Sequence, residues 1–141
     1  TSLSSNPKIL DNLSTEPVKI KPENSFSNID NLPYPDWEIV FKHKKPVMGF
    51  LGSGPSIPIN SSRGCPYSCR FCVIPETNDL KWRYRSAINV VDEIEYWVNK
   101  WNIKEFHIED VDPTISDKRT REICLEIIKR KLQIKMLKKM Y

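Results

Sequence analysis

Three cysteines within eight residues, Cys65-Pro66-Tyr67-Ser68-Cys69-Arg70-Phe71-Cys72, are the side chains best equipped for chemistry in this 141-residue sequence. At a spacing of three and then two intervening residues, one short loop can turn all three sulfurs toward a single small cluster. Gly64 and Pro66 help to bend the entry of that loop. A [4Fe–4S] cluster usually takes four protein ligands. Three cysteines would leave one iron open, and an open metal position is where a substrate or cofactor coordinates. Two alternatives stand beside this reading. Structural zinc would need a fourth ligand from Cys124, His43 or His107. A pure electron-transfer module would be expected to show the ferredoxin spacing with its fourth Cys and Pro, which this run does not match.

A second chemistry-bearing stretch is Glu109-Asp110-Val111-Asp112, whose carboxylates follow an alternating segment, Glu105 to Glu109. Phe106 and Ile108 fall on one face of that segment and Glu105, His107 and Glu109 on the other, which is the period of a strand. His107 is expected to be a satisfied structural histidine; lining the interior of a barrel is what the resemblance described below implies as its other reading. Arg63, Arg83 and Arg85 flank the cysteine loop, and each is a candidate carboxylate partner, with surface pairing the expectation.

The elements that must position these residues are readable. Ile57-Pro58-Ile59-Asn60-Ser61 predicts a strand, and Pro58, lacking a donor, places it near an edge or at its own start. Ser86 is a good N-cap for a helix over 87–101. Ala87, Val90, Val91, Ile94, Trp97, Val98 and Trp101 make its buried stripe, with Asp92, Glu93 and Glu95 facing out and Asn102 as a left-handed stop. Ser116 caps a second helix over about 117–132, with Ile123, Cys124, Ile127, Ile128 and Leu132 inward. Ile134 and Met136 begin another strand. Trp82, Trp97 and Trp101 are read as packing. The order strand, cysteine loop, helix, strand, acidic loop, helix implies a parallel α/β sheet. Ligands of such sheets gather at the carboxyl ends of the strands. Cys65–Cys72 and Glu109–Asp112 both leave from that side, so they should be neighbours in space.

The N-terminal part is different. Ten of the eleven prolines lie between Pro7 and Pro75, which makes the first half irregular. Residues 1–30 read as a flexible linker and 31–56 as an extended strap, in which Leu32, Tyr34 and Trp37 offer surface to bury and Val47 to Phe50 form a short apolar run. Residues 57–141 form the chemistry-bearing body. The net charge of +4 suggests nucleic acid until it is counted by region: 117–141 carries nine basic and three acidic residues, and the rest is net negative. A solvated helix face explains that better, and nucleic acid is not an expected partner. No run reaches about 18 apolar residues, so no membrane span is expected. Thr1 to Lys8 lacks the apolar run of a secretory signal, so clustered cysteines read as metal ligands in a reducing cytoplasm.

Cys-x3-Cys-x2-Cys with an aromatic residue, Phe71, before the last cysteine resembles the signature of the radical S-adenosylmethionine (SAM) superfamily. Ser62-Arg63-Gly64-Cys65-Pro66-Tyr67 and Arg85-Ser86-x4-Val91-Asp92-Glu93-Ile94 strengthen the resemblance. Phe106-His107-Ile108-Glu109-Asp110-Val111-Asp112-Pro113-Thr114 is similar to the second strand and loop of one subgroup, in which a cobalamin-binding domain precedes the catalytic one, as in the anaerobic magnesium-protoporphyrin cyclase family. Leu32-Pro33-Tyr34-Pro35-Asp36 is similar to the linker between those domains.

The resemblance implies a partial TIM-like (β/α) barrel, incomplete here, with its first two β/α units and an irregular N-terminal linker. It implies that Cys65, Cys69 and Cys72 hold a [4Fe–4S] cluster and that SAM chelates the open iron. Phe71 would pack by the cluster or adenine; ordinary core packing is its other reading. Glu109 and Asp110 would accept hydrogen bonds from the amino or ribose groups of SAM, standing in for a glycine-rich segment that is not recognisable; a solvated or helix-capping loop acid is their other reading. Asp112 is the weaker candidate. The reaction implied is reductive cleavage of SAM to a 5′-deoxyadenosyl radical, fed by a donor such as a flavodoxin or ferredoxin and acting on an unidentified small molecule. Cobalamin would belong to a missing upstream domain. A partial sequence is therefore expected, inactive alone, with turnover in the longer parent.

Overall fold

The computed structural model describes residues 28–43, 54–78 and 80–138. The Val47–Phe50 run, the linker before residue 28 and the last three residues lie outside them. Three parallel strands, β1 (Ser56–Ile59), β4 (Glu105–Ile108) and β5 (Lys135–Lys138), form a sheet in the order β1-β4-β5. Between them run α3 (Ala87–Trp101) and α4 (Asp117–Lys129). The sheet is the start of a β/α barrel and is not closed. Pro58 sits on β1, which among the described residues pairs only with β4, so within them its missing donor costs no ladder bond to a second neighbour.

The core follows from the helical stripe. Ile57, Ile59 and Phe106 meet Val90, Val91, Ile94, Trp97, Ile103 and Ile123. Burying such a side chain contributes about 1.5–3 kcal/mol. α3 starts where Ser86 Oγ accepts the Asn89 N–H at 3.2 Å. It stops where Asn102 turns left-handed at φ 52° and its N–H closes on Val98 O. Glu93 overturns one expectation: it does not face out and is 1% exposed. Its spacing of three from Val90 and four from Trp97 puts it on the stripe, and Arg85 neutralises it there.

α4 differs more. It ends at Lys129, before Leu132, because Lys131 adopts φ 54° and Leu132 N–H bonds back to Ile127 O, folding Leu132 onto the core. No glycine marks that stop. Ile123 is buried and Ile127 packs against the core. Cys124 and Ile128 are exposed, contrary to the inward stripe expected of them. This 13-residue helix buries a narrower face than α3 does, with Arg119 and Ile123 as its buried residues.

The segment before the sheet follows α3 along its length. A 3-10 turn at Ile29–Asn31 presents Asp30, whose Oδ1 accepts the Ser86 N–H at 2.8 Å and whose carbonyl accepts Asn89 Nδ2. At the other end, α1 (Glu38–Phe41) stacks Phe41 on Trp101 with ring centres 5.2 Å apart, and Glu38 pairs with Lys100. The tryptophans pack in separate pairs: Trp82 tilts against Tyr84 and Trp97 meets Tyr96 edge-on.

Candidate functional site

The cysteine loop is closed at its base by two short antiparallel strands, β2 (Ser62–Arg63) and β3 (Arg83–Tyr84), with Ser62 opposite Tyr84. Gly64, at φ 82°, makes the turn out of β2, a conformation that favours glycine. Cys65 follows and is buried, Cys69 is exposed and Cys72 is half-buried, and all three are free thiols. A turn from Cys69 O to Cys72 N–H at 3.1 Å carries the second and third cysteines. A short helix, α2 (Ile74–Asn78), leads the chain back. Phe71 is 94% exposed, so it is not part of the protein's core; Tyr67 and Val73 are also open.

The acidic loop lies beside the root of this loop, as the sheet topology requires. Glu109 N–H bonds Ile59 O at 3.0 Å, extending the β1–β4 ladder by one step. Its side chain is half-buried. Asp110 is buried. Its Oδ1 accepts the Ser61 N–H, and its Oδ2 accepts both Ser61 Oγ and Ser62 Oγ, all at 2.6 Å. Asp112 turns the other way and caps the turn at Thr114, accepting its N–H and hydroxyl.

Two arginines complete the arrangement. Arg119, from the first turn of α4, is buried; its Nη2 donates to Ser61 O at 2.6 Å and its Nε to Arg85 O at 2.9 Å. Burial pushes its guanidinium down from the usual range, and the nearby Asp110 carboxylate works the other way. Arg85 donates to Glu93 at 2.5 Å, to Asn60 O, and to the side chain and carbonyl of Asn89. Of the three arginines near the cluster loop, Arg85 therefore meets its carboxylate inside the protein and not at the surface. Arg63 is exposed, and Arg83 is half-buried. His107 is buried on β4, in register with Pro58 of β1 and residue 137 of β5, with no hydrogen-bond partner for Nε2.

The donor chemistry of the loop suits an iron–sulfur cluster: three thiols, none in a disulfide, carried by one loop. Among the described residues, no three His, Cys, Asp or Glu side chains stand gathered as a ligand set. The candidates for a fourth zinc ligand are placed apart in kind: Cys124 is exposed on α4, His43 is exposed after α1, and His107 is inside the sheet. Among the described residues, no helix is long and apolar enough to cross a membrane.

Sequence reasoning missed Ser61, Ser62, Arg119 and the burial of Glu93. The stripe spacing of Glu93 was a usable signal. Nothing local marked the serines, whose partner is 48 or 49 residues away.

Comparison with known proteins gives the family. The family model described as the radical SAM superfamily matches residues 59–139. The chain is 37% identical over 108 residues to an anaerobic magnesium-protoporphyrin IX monomethyl ester cyclase of Cereibacter sphaeroides, covering 72% of this chain and 16% of that protein. It is 29% identical over 113 residues to an uncharacterised methyltransferase of Pyrococcus horikoshii, covering 80% and 24%. It is 31% identical over 100 residues to the cytidylyl-2-hydroxyethylphosphonate methyltransferase of Streptomyces wedmorensis, covering 67% and 19%. The chain thus spans from 16% to 24% of the length of these relatives. No solved structure matches it.

Proposed function

The chain belongs to the radical SAM superfamily, and we propose that it is the cluster- and SAM-binding portion of an enzyme that cleaves SAM reductively. The observation that carries this is the bracketed loop of three free thiols, rooted beside Glu109 and Asp110 at the carboxyl end of a parallel sheet. Cys65, Cys69 and Cys72 would hold the cluster, which would supply the electron for reductive cleavage of SAM to methionine and a 5′-deoxyadenosyl radical able to take a substrate hydrogen.

The protein's own part is to bind, orient and exclude water. Cys65, Cys69 and Cys72 are the ligands, with Cys69 and Cys72 carried on one backbone turn and Cys65 at the root of the loop. Phe71, free of the core, offers an aromatic face to the adenine. Glu109 offers its carboxylate to the amino or ribose hydroxyl groups of SAM, held in place by its backbone bond to Ile59. Both oxygens of Asp110 already accept from Ser61 and Ser62, so its contribution runs through them.

Turnover is assigned to the longer protein, with a flavodoxin or ferredoxin as electron donor and a cobalamin domain upstream, in a cytoplasmic setting. The named relatives include a cyclase and methyltransferases, so the substrate is not inherited from them. Reconstitution under anaerobic conditions should give a brown chain with the iron and sulfide of a [4Fe–4S] cluster. Replacing Cys65, Cys69 and Cys72 together by Ala should abolish the colour. Zinc without iron in an anaerobically purified sample, or colour surviving the triple replacement, would refute the assignment. Steady 5′-deoxyadenosine production by residues 1–141 alone would refute the placement of turnover in the longer protein.

A further inference from the structure

The segment Asn60–Ser62 is the last piece of chain before the cysteine loop, and its polar groups are gripped from three directions. Asp110 accepts the Ser61 N–H and both serine hydroxyls at 2.6 Å. Arg119 donates to Ser61 O at 2.6 Å, and the Arg85 N–H reaches the same carbonyl at 3.0 Å. Arg85 Nη1 donates to Asn60 O at 3.1 Å. Ser61, Ser62, Arg85, Asp110 and Arg119 are all buried. Only Arg63 and Gly64 separate this clamp from Cys65.

We propose that Asp110 is a positioning residue for the cluster: acting through Ser61 and Ser62, it fixes where Cys65 leaves the sheet. The proposal rests on the cluster reading above. Its physical basis is the cost of the arrangement. Burying a carboxylate is unfavourable unless donors surround it, and a packed apolar group of similar size often stabilises a fold as well. A carboxylate here does what an apolar group does not, because it fixes two consecutive serines by direction as well as by distance. The neighbouring Glu109 bonds Ile59 through its backbone. The 109–110 pair thus holds 59, 61 and 62 together, and the side that faces SAM is mechanically joined to the root of the cluster loop. Cys69 and Cys72 have no such tie in the described structure beyond their own turn, so Cys65 is the fixed ligand about which the other two close.

The test uses the full 141-residue chain, reconstituted anaerobically, with three readouts. These are the rate of iron release to a chelator, the change in the reduced cluster's EPR spectrum on adding SAM, and the thermal melt of the metal-free protein. Removing a partner that orients a metal ligand typically costs 10–100-fold in metal affinity. Asp110→Asn should therefore speed iron release about tenfold and diminish the SAM-induced EPR change. Ser62→Ala keeps the Ser61 bonds and should have an intermediate effect, which retains the test if Asp110→Asn folds poorly. Ile103→Val, a core substitution before the amino end of β4 and so at the other end of that strand from Asp110, should lower the melt and leave iron release unchanged.

Wild-type release rates in both Asp110→Asn and Ser62→Ala would overturn the proposal. So would equal acceleration by Ile103→Val at a matched loss of thermal stability, since the effect would then be global. If the wild-type chain takes up no iron, the cluster reading falls and this inference with it. If it takes up iron and the clamp variants hold it as tightly, this inference alone falls.

Discussion

The β/α body from Ala87 to Lys129 and the cysteine loop from Gly64 to Trp82 are built in opposite ways. The body has an N-cap at each helix, a left-handed stop after α3, and a core in which Val90, Val91, Ile94 and Phe106 are fully buried. The loop holds Tyr67, Phe71, Val73 and Leu80 outward, while Ile74 and Trp82 are half-buried. Its own backbone bonds amount to short turns such as Cys72 to Cys69 and Glu76 to Val73. The body is specified by burial, whereas the loop is specified only at its root, by the β2–β3 pair and the Asp110 clamp.

The largest expected effects fall in the body. Glu93→Ala leaves the Arg85 guanidinium buried without its carboxylate and should cost about 3–5 kcal/mol. Phe106→Ala should cost about the same through the cavity it leaves. Against a domain stability of roughly 5–15 kcal/mol, either is close to unfolding. Phe71→Ala should cost less than about 0.5 kcal/mol, because its side chain touches little. Urea midpoints for the three variants test the contrast, and a Phe71→Ala loss comparable to that of Phe106→Ala would break it.

The next effect separates the regions by ligand. In the metal-free chain, trypsin should cut first after the exposed Arg70 and Lys81. Loading the cluster should slow those cuts severalfold while cuts within 87–129 stay slow in both states. Equal protection throughout would mean that the body, too, depends on the cluster. Smaller still is the helix cap. Ser86→Ala removes the acceptor for the Asn89 N–H and should cost about 1 kcal/mol, seen in the urea midpoint with iron content unchanged.

The sequence was informative where physics acts locally. α3 was legible to the residue because Ser86, a three-and-four apolar spacing and Asn102 each report on their own neighbourhood. The parallel order of β1, β4 and β5 followed from alternating periods. The cysteine loop was legible as chemistry from thiol spacing, but not as shape. Its closing ribbon pairs Ser62 with Tyr84 through two residues a side, too short to leave a period. The end of α4 was missed because a lysine took the left-handed position that glycine usually marks. Burial of Glu93 was missed because charge was weighed above position on the stripe. The clamp was out of reach because a serine's partner 49 residues away leaves no trace in the serine's own surroundings.

The smallest expected effect concerns the rim where α3 meets α4, and it shows where the body responds to acid. Arg130 donates to Asp92 at 2.6 Å, to Glu95 at 2.7 Å and to Glu126 at 2.9 Å, joining the two helices. The bond from Arg130, then that from Lys129, holds the Glu126 carboxyl below its ordinary 4.5, while Arg130 is pushed further up and stays charged. The folded chain therefore binds fewer protons at Glu126 than the unfolded chain does just below pH 4.5. The stabilisation is fully present above that pH and is lost as pH falls through the lower folded value. Arg130→Gln should flatten the fall in urea midpoint below about pH 4.5, and high salt should do part of the same, because these groups are solvent-screened. If the acid limb is as steep in Arg130→Gln as in the wild type, the response comes from elsewhere, and the rim carries geometry without a measurable share of the electrostatics.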